Sequence, residues 1–343
     1  MFPTLIVPTR NRPNKIAALL QYIADFYPQT RVIVADGSDD AVQDKVANIC
    51  ATAALGAHVS FRPYPADLPL FDRLVDLVLS CEDEVLALTA DDDYPLMDTV
   101  ALAAKQLAGD ARLSCVIPYS VLLTETADGQ LKARLSHSHR IGAPSAAGRL
   151  GVFAKWPFAT SYGAVRRDTL LARYRSLGQG YCAGFVDFQI GAEDCFSGRI
   201  AAMPQLGSLR THSYRESYLR PSDPLIFLRR SAEVLGIIET LSLRLADVDQ
   251  IGIDAAKTSV QAAVSQSIAH LVGAGPARRA GFIHTSPFRS APVQNQFAQF
   301  YDLFREGTQM RQDYNQALRY VGKLLLSGQS SDMQEGSRNR ETV

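Results

Sequence analysis

The 343-residue chain carries 35 Lys and Arg against 35 Asp and Glu, with 47% hydrophobic and 20% charged residues. This is the composition of an ordinary globular protein, long enough for a sizeable core in one large or two medium domains. The even charge balance gives no footprint for nucleic acid, and no uncharged apolar run reaches the ~20 residues of a membrane helix. Arg229, Arg230, Glu233 and Glu239 interrupt the most apolar helix. Five cysteines without CxxC or metal-finger spacing fit reduced thiols, and the first strand starts at Pro3 without a signal-like h-region. A cytoplasmic protein is expected, with peripheral membrane contact left open.

In chain order, Thr4 to Val7 reads as a short buried strand. Ile16 to Phe26 reads as an amphipathic helix, with Ile16, Leu19, Leu20 and Ile23 at helical spacing. Arg31 to Ala35 is a second strand, Val42 to Ala54 a second helix, and His58 to Arg62 a third strand. Leu70 to Ser80 is helical, Glu84 to Leu88 a fourth strand, and Leu96 to Leu107 a further helix. Such alternation predicts an α/β fold: a Rossmann-like, mostly parallel sheet with helices on both faces. Ligands in such sheets sit beyond the carboxyl ends of the strands. Three polar clusters fall there: Thr9-Arg10-Asn11, Asp36-Gly37-Ser38 and Asp91-Asp92-Asp93.

Three like charges in a row repel one another, so the triplet calls for a positive partner. A divalent cation bridging a diphosphate supplies one, because hard cations take carboxylate and phosphate oxygens together. The plainer alternative is an acidic strand-to-helix turn whose Asp side chains cap free N–H groups. The loop after the first strand, Pro8 to Pro13, has no Gly, and no GxxxxGK[ST] occurs. A dinucleotide-binding Rossmann domain and a P-loop NTPase are therefore disfavoured.

Ile6-Val7-Pro8-Thr9-Arg10-Asn11-Arg12-Pro13, Val32 to Asp40 and Ala90-Asp91-Asp92-Asp93 together resemble the opening of a family 2-type glycosyltransferase with the GT-A fold. Phe158 to Arg167 resembles that family's strand before the acceptor region, and Asp187 with Glu193-Asp194 its acidic acceptor-side motif. The likeness gives out beyond about Tyr218. The resemblance implies a metal-dependent enzyme using Mn²⁺ or Mg²⁺ and a nucleotide-sugar donor, UDP by default, with inversion of configuration. The acceptor would be a glycan, lipid-linked or protein hydroxyl. Pro8, Thr9, Arg10, Asn11, Asp36, Ser38, Arg73, Asp91 and Asp92 would line the nucleotide-sugar site. Asp93, Asp91 and His212 would hold the metal. Asp194 is the expected general base, with Glu193 orienting the acceptor or Asp194 itself, and Asp187, two helical turns away on the same face, its competitor. Arg73 has a second reading as a solvated helix face, and Asp92 as a structural cap.

Other features place themselves more coarsely. Arg210 and Arg215 flank His212 and would reach a pyrophosphate. His137 and His139 read as loop or acceptor-pocket residues. Trp156 suits either sugar stacking or a core position. Asp128-Gly129 between Val121–Leu123 and Leu131–Ala133 signals a hairpin. Ile141 to Leu150, rich in Gly, Ala, Pro and Ser, reads as a loop and lid.

The expected organisation is a GT-A-type domain over 1–222, split near residue 110 into nucleotide and acceptor halves. An all-helical region over 223–326 follows, built on Leu225–Leu245, Ala255–Val272, Phe297–Phe304 and Gln312–Leu326, with three roles open: covering the acceptor site, homo-oligomer formation or docking a partner. Residues 327–343 are polar and read as disordered. Competing functions are a sugar-phosphate nucleotidyltransferase, whose Gly-rich loop is missing here, and a catalytically inactive GT-A-fold binding protein.

Overall fold

The computed structural model describes residues 2–54, 58–125, 131–136, 138–213, 230–273 and 312. Its first half runs β1 (Thr4–Thr9), α1 (Pro13–Phe26), β2 (Arg31–Asp36), α2 (Asp40–Ala53), β3 (His58–Pro63), α3 (Leu70–Ser80) and β4 (Val85–Leu88). Next come β5 (Tyr94–Pro95), α4 (Met97–Gly109), β6 (Leu113–Glu125), β7 (Leu131–Ser136), α5 (Ala146–Lys155) and β8 (Ala164–Arg166). The remainder is α6 (Arg167–Gly178), α7 (Val186–Ser197), β9 (Arg199–Ser213), α8 (Ser231–Asp249) and α9 (Ile253–Gly273).

One sheet takes the order β3-β2-β1-β4-β8-β6-β9-β5, with β7 added against β6. The first four strands are parallel, β8 is antiparallel to both neighbours, and β6 and β9 are parallel to each other. Strand β1 is apolar without alternation because helices cover both its faces. Leu5 and Val7 pack with Ile16, Leu19 and Val46 of α1 and α2, while Ile6 points the other way toward Leu74, Leu77 and Val78 of α3. Parallel registry sets Thr9 beside Asp36, so the first two polar loops leave the sheet together.

Helices α8 and α9 add Val234, Ile237, Leu241, Leu245, Ala256 and Val260 to the core cluster that also holds Leu150 and Phe153 of α5. Asp249 fastens this join. Its two carboxylate oxygens accept from the N–H groups of Ala146 and Ala147, each at 2.8 Å. The bonds satisfy two free donors at the start of α5, where the helix dipole also favours an anion.

The hairpin is present, with Val121 opposite Leu135 and Leu123 opposite Ala133; its Asp128-Gly129 turn lies outside the described residues. The Ile141–Leu150 stretch departs from expectation. Ile141 bridges Ile200, and α5 already begins at Ala146, capped by Ser145 Oγ accepting from Gly148 N at 3.1 Å. Its Ser and Ala residues are a helix start, and its buried Ile141, Ala146 and Leu150 exclude a free lid. The helices expected at 297–304 and 312–326 and the tail at 327–343 lie outside the described residues, apart from Gln312. No described helix is long and apolar enough to cross a membrane.

Candidate active site

The site forms where β1, β2 and β4 end. Asn11 joins the first two loops. Its N–H donates to Ser38 Oγ at 2.8 Å, its amide Nδ2 to Asp39 Oδ2 at 2.9 Å, and its Oδ1 accepts from Asp39 N at 3.0 Å. This requires left-handed backbone, φ 55°, which Asn tolerates better than most residues. Below it Asp36 is fully buried. Ser38 donates to Asp36 Oδ1 from both its hydroxyl, at 2.5 Å, and its N–H, at 3.0 Å, while Asp36 Oδ2 has no partner. Burial pushes the Asp36 carboxyl above its ordinary range, against the pull of the Ser38 bonds and the Arg73 charge.

Arg73, from the first turn of α3, is 3% exposed and fills the space over Gly37. Its Nη1 lies 3.4 Å from the Thr9 carbonyl oxygen. A Cβ on residue 37 would overlap the guanidinium, which is why glycine stands there. Burial and the neighbouring Arg10 charge lower the Arg73 pKa, with Asp36 opposing. The solvated-face reading of Arg73 is thereby overturned.

The acidic turn is held from two sides. Thr9 Oγ1 donates to Asp91 Oδ2 at 2.7 Å, and Arg12 donates to Asp91 Oδ1 and to Asp92. On the other side β5 pairs with β9, Tyr94 opposite Leu209, which brings Asp93 to Arg210 and Thr211. Thr211 N–H donates to Asp93 Oδ1 at 2.8 Å, and Thr211 Oγ1 to the Asp92 carbonyl at 2.6 Å. Arg210 stacks its guanidinium 4.1 Å above the Tyr162 ring, with Nε 3.9 Å from Asp93 Oδ2. Tyr162 also hydrogen-bonds Asp93. Burial pushes Asp91 and Asp93 each up to about 6, ahead of the opposing pull of Arg12 on Asp91 and Arg210 on Asp93. Asp92 is half-buried and serves as the second anchor for Arg12.

Helix α7 separates the three acceptor-side carboxylates. Asp187, in its first turn, is exposed, and its charge acts on both Tyr162 and Arg210. Asp194 is 0% exposed; Arg173 Nε donates to Asp194 Oδ1, and Arg173 Nη2 donates to the Thr160 carbonyl at 3.2 Å. Glu193 is 2% exposed and faces Arg244 of α8, Oε2 to Nε 3.7 Å, with burial raising it to about 7.

No protein-family model matches the chain. Two curated proteins, the DNA translocase FtsK from two strains of Mycobacterium tuberculosis, are 33% identical over 95 residues, 25% of this chain. The chain spans only 11% of their length, and so short a stretch shows no common architecture. Solved structures match along most of the chain. TarS 1–349 of S. aureus superposes with a TM-score of 0.51 at 12% identity, over 88% of this chain and 79% of that one. The same protein in complex with UDP-GlcNAc gives 0.51 at 14% identity, over 88% and 79%. Its UDP complex gives 0.50 at 13%, over 88% and 80%.

The fold is GT-A.

At this identity the likeness carries the architecture alone, and the site rests on its own geometry. The GT-A sheet edge gathers Pro8, Thr9, Arg10, Asn11, Asp36, Ser38, Arg73, Asp91, Asp92 and Asp93 from three loops and α3, as the strand-end rule requires. Asp194 does not join them. The face of α7 that carries Asp187 in solvent runs under α6 and α8 two turns later, and Asp194 there neutralises the buried Arg173. Asp194 has no exposed surface here, its Oδ1 is on Arg173 and its Oδ2 has no partner, whereas Asp187 is the exposed carboxylate of the pair. Glu193 turns to Arg244 of α8. His212 lies on β9 opposite Thr124, with its side chain outside the described part; His137 and Arg215 are outside altogether. His139 packs edge-on to Phe158 at 4.7 Å, and Trp156 is 47% exposed, which excludes the core role.

Three participants escaped sequence reasoning: Arg12, Thr211 and Tyr162. Arg12 was visible as the basic residue nearest the aspartates in the first loop. Thr211 and Tyr162 had no signal, because only strand pairing brings β9 and the loop before β8 to Asp93.

Proposed function

We propose that the chain is a glycosyltransferase that moves a sugar from a nucleotide-sugar donor, by preference a UDP-sugar, to a hydroxyl acceptor with inversion. The observation that carries this reading is the cleft edge where Asp36, with an unspent Oδ2 acceptor, meets the Asp91–Asp93 turn. The fold shared with TarS, which binds UDP-GlcNAc, supports the choice of donor. Asp36 Oδ2 would accept a hydrogen bond from the base or ribose once the Thr9–Arg12 and Gly37–Asp39 loops part over it. Arg73 and Arg10 would place positive charge beside the diphosphate.

Mn²⁺ or Mg²⁺ fits the donor set on this observation: Asp91 and Asp93 are buried carboxylates that burial, with the neighbouring Asp92 charge, drives toward the neutral form, so a hard cation would relieve them. Among the described residues no cluster of three or more His, Cys, Asp or Glu is arranged around one point. The protein would therefore supply Asp93, with Asp91 beside it and His212 on the same strand as Arg210, and the diphosphate and water the remaining oxygens. Bound there, the ion offsets charge on the leaving nucleoside diphosphate.

Asp187 is the proposed general base. It is the one acidic side chain of α7 open to solvent on the Tyr162–Arg210 side, and it would take the proton of the acceptor hydroxyl as the oxygen attacks the anomeric carbon. Tyr162 and Arg210 would hold the opposing side of the cleft. Incubation with a panel of sugar nucleotides, with and without Mn²⁺, tests the reading. Metal-dependent release of nucleoside diphosphate is expected. Pyrophosphate release would instead identify a nucleotidyltransferase, and no release with any donor would point to a binding protein.

A further inference from the structure

The acidic site is closed by its own arginines, and the three closures differ in kind. Arg12 is fixed by hydrogen bonds to Asp91 and Asp92, and Arg73 is packed over Gly37 with a bond to the Thr9 carbonyl. Arg210 is held at Tyr162, which hydrogen-bonds it, and by the charge of Asp93. Its Nε is buried without a hydrogen-bond partner, 3.9 Å from Asp93 Oδ2, and its flat face rests on the Tyr162 ring. Moving off Asp93 would cost Arg210 a charge contact while its stacking partner Tyr162 stays beside it, whereas Arg12 would have to break hydrogen bonds to two carboxylates. Asp93 meanwhile keeps Oδ1 on the Thr211 amide, and Oδ2 is the oxygen toward Arg210. The same guanidinium also feels Asp187, which leaves it a second acidic neighbour when it leaves the first.

We infer that Arg210 is the resident counter-ion of Asp93, occupying the place of a divalent cation in the ligand-free protein, and that the cation displaces it from Asp93 Oδ2 toward Asp187 and the diphosphate. The inference rests on the metal-dependent reading above. One charged partner replaces another on the same oxygen, no bond is made or broken covalently, and the Tyr162 face is the track along which the guanidinium moves. Arg210 is then a positioning residue, and removing its charge has opposite effects on two ligands. Metal alone binds more tightly, because its competitor is gone; metal with nucleoside diphosphate loses the guanidinium that the exchange delivers.

Titration of the full chain with Mn²⁺ alone, followed by the paramagnetic resonance of the free ion, reads the first effect without turnover. Arg210→Met is expected to raise Mn²⁺ affinity about tenfold, and Arg210→Lys, which keeps the charge, to stay within about twofold of the unmodified protein. Titration of Mn²⁺-loaded protein with UDP is expected to show weaker binding in Arg210→Met. Should Arg210→Met not fold, Arg210→Gln gives the same comparison. Mn²⁺ affinity unchanged or reduced by loss of the Arg210 charge, with binding still abolished by Asp93→Asn, overturns this inference and leaves the metal reading standing. Absence of Mn²⁺ binding in the unmodified protein removes both.

Discussion

Arg73 of α3 lies in the space a side chain on Gly37 would need, and from there its Nη1 reaches the Thr9 carbonyl oxygen at 3.4 Å. One glycine thus makes room for α3 to place a cation under two strand-end loops. Gly37→Ala forces either the guanidinium or the loop to shift, and overpacking of this kind costs about 1–3 kcal/mol. The expected outcome is a lower Tm together with loss of UDP-dependent thermal stabilisation. Retention of the UDP effect would show that Arg73 does not shape the nucleotide site.

Asp36 offers an acceptor that nothing in the protein uses. Asp36→Asn keeps the shape and replaces part of that acceptor by a donor. Loss of a charged hydrogen bond is worth about 1.5–3 kcal/mol, which corresponds to about 10- to 100-fold weaker nucleotide binding. Calorimetric titration with UDP measures it, and an unchanged affinity would remove Asp36 from the site.

The two carboxylates seven residues apart on α7 are expected to fail differently. Asp187→Asn should leave Tm and donor binding near those of the unmodified protein while transfer falls by about 10²- to 10⁴-fold, the usual yield of a general base. Asp194→Asn uncovers the buried Arg173 charge, and breaking a buried pair costs about 3–5 kcal/mol, so its first effect is on stability. Chemical denaturation beside activity separates the two; a stable, inactive Asp194→Asn protein would restore Asp194 as the base.

Glu193 sets a pH dependence. Burial raises its folded-state pKa to about 7 from an ordinary 4.5, with Ser176 and the Arg244 charge opposing and Asp194 assisting. Between those values the folded chain holds a proton that the unfolded chain has released. This contribution is therefore favourable in acid and is lost as pH rises through about 4.5 to 7, by on the order of 3 kcal/mol. Glu193→Gln mimics the protonated form and should flatten that part of the stability profile, measured by urea unfolding from pH 5 to 8.

Asp249 ties α8 to α5 through the N–H groups of Ala146 and Ala147. Asp249→Ala removes a cap worth about 0.5–2 kcal/mol. Faster amide exchange at the start of α5 is expected, and unaltered protection at Ala146 and Ala147 would show that α5 needs no such cap.

Local chemistry settled a large part of this molecule. The apolar runs of β1, β2 and β4, the helical spacing of Ile16, Leu19, Leu20 and Ile23, and the carboxylates at the strand ends fixed a parallel α/β half and one ligand edge. Each depends only on a period of 2 or 3.6 and on which residues bury. The same rules put Asp187 and Asp194 on one helical face and could go no further, since periodicity reports direction around a helix and not depth beneath its neighbours. Depth came from the packing of α6 and α8, which left Asp187 in water and gave Asp194 to Arg173. The pairing of β5 with β9 likewise brought Thr211 and Arg210 to Asp93 across more than 110 residues, a juxtaposition made by strand registry that no local pattern encodes.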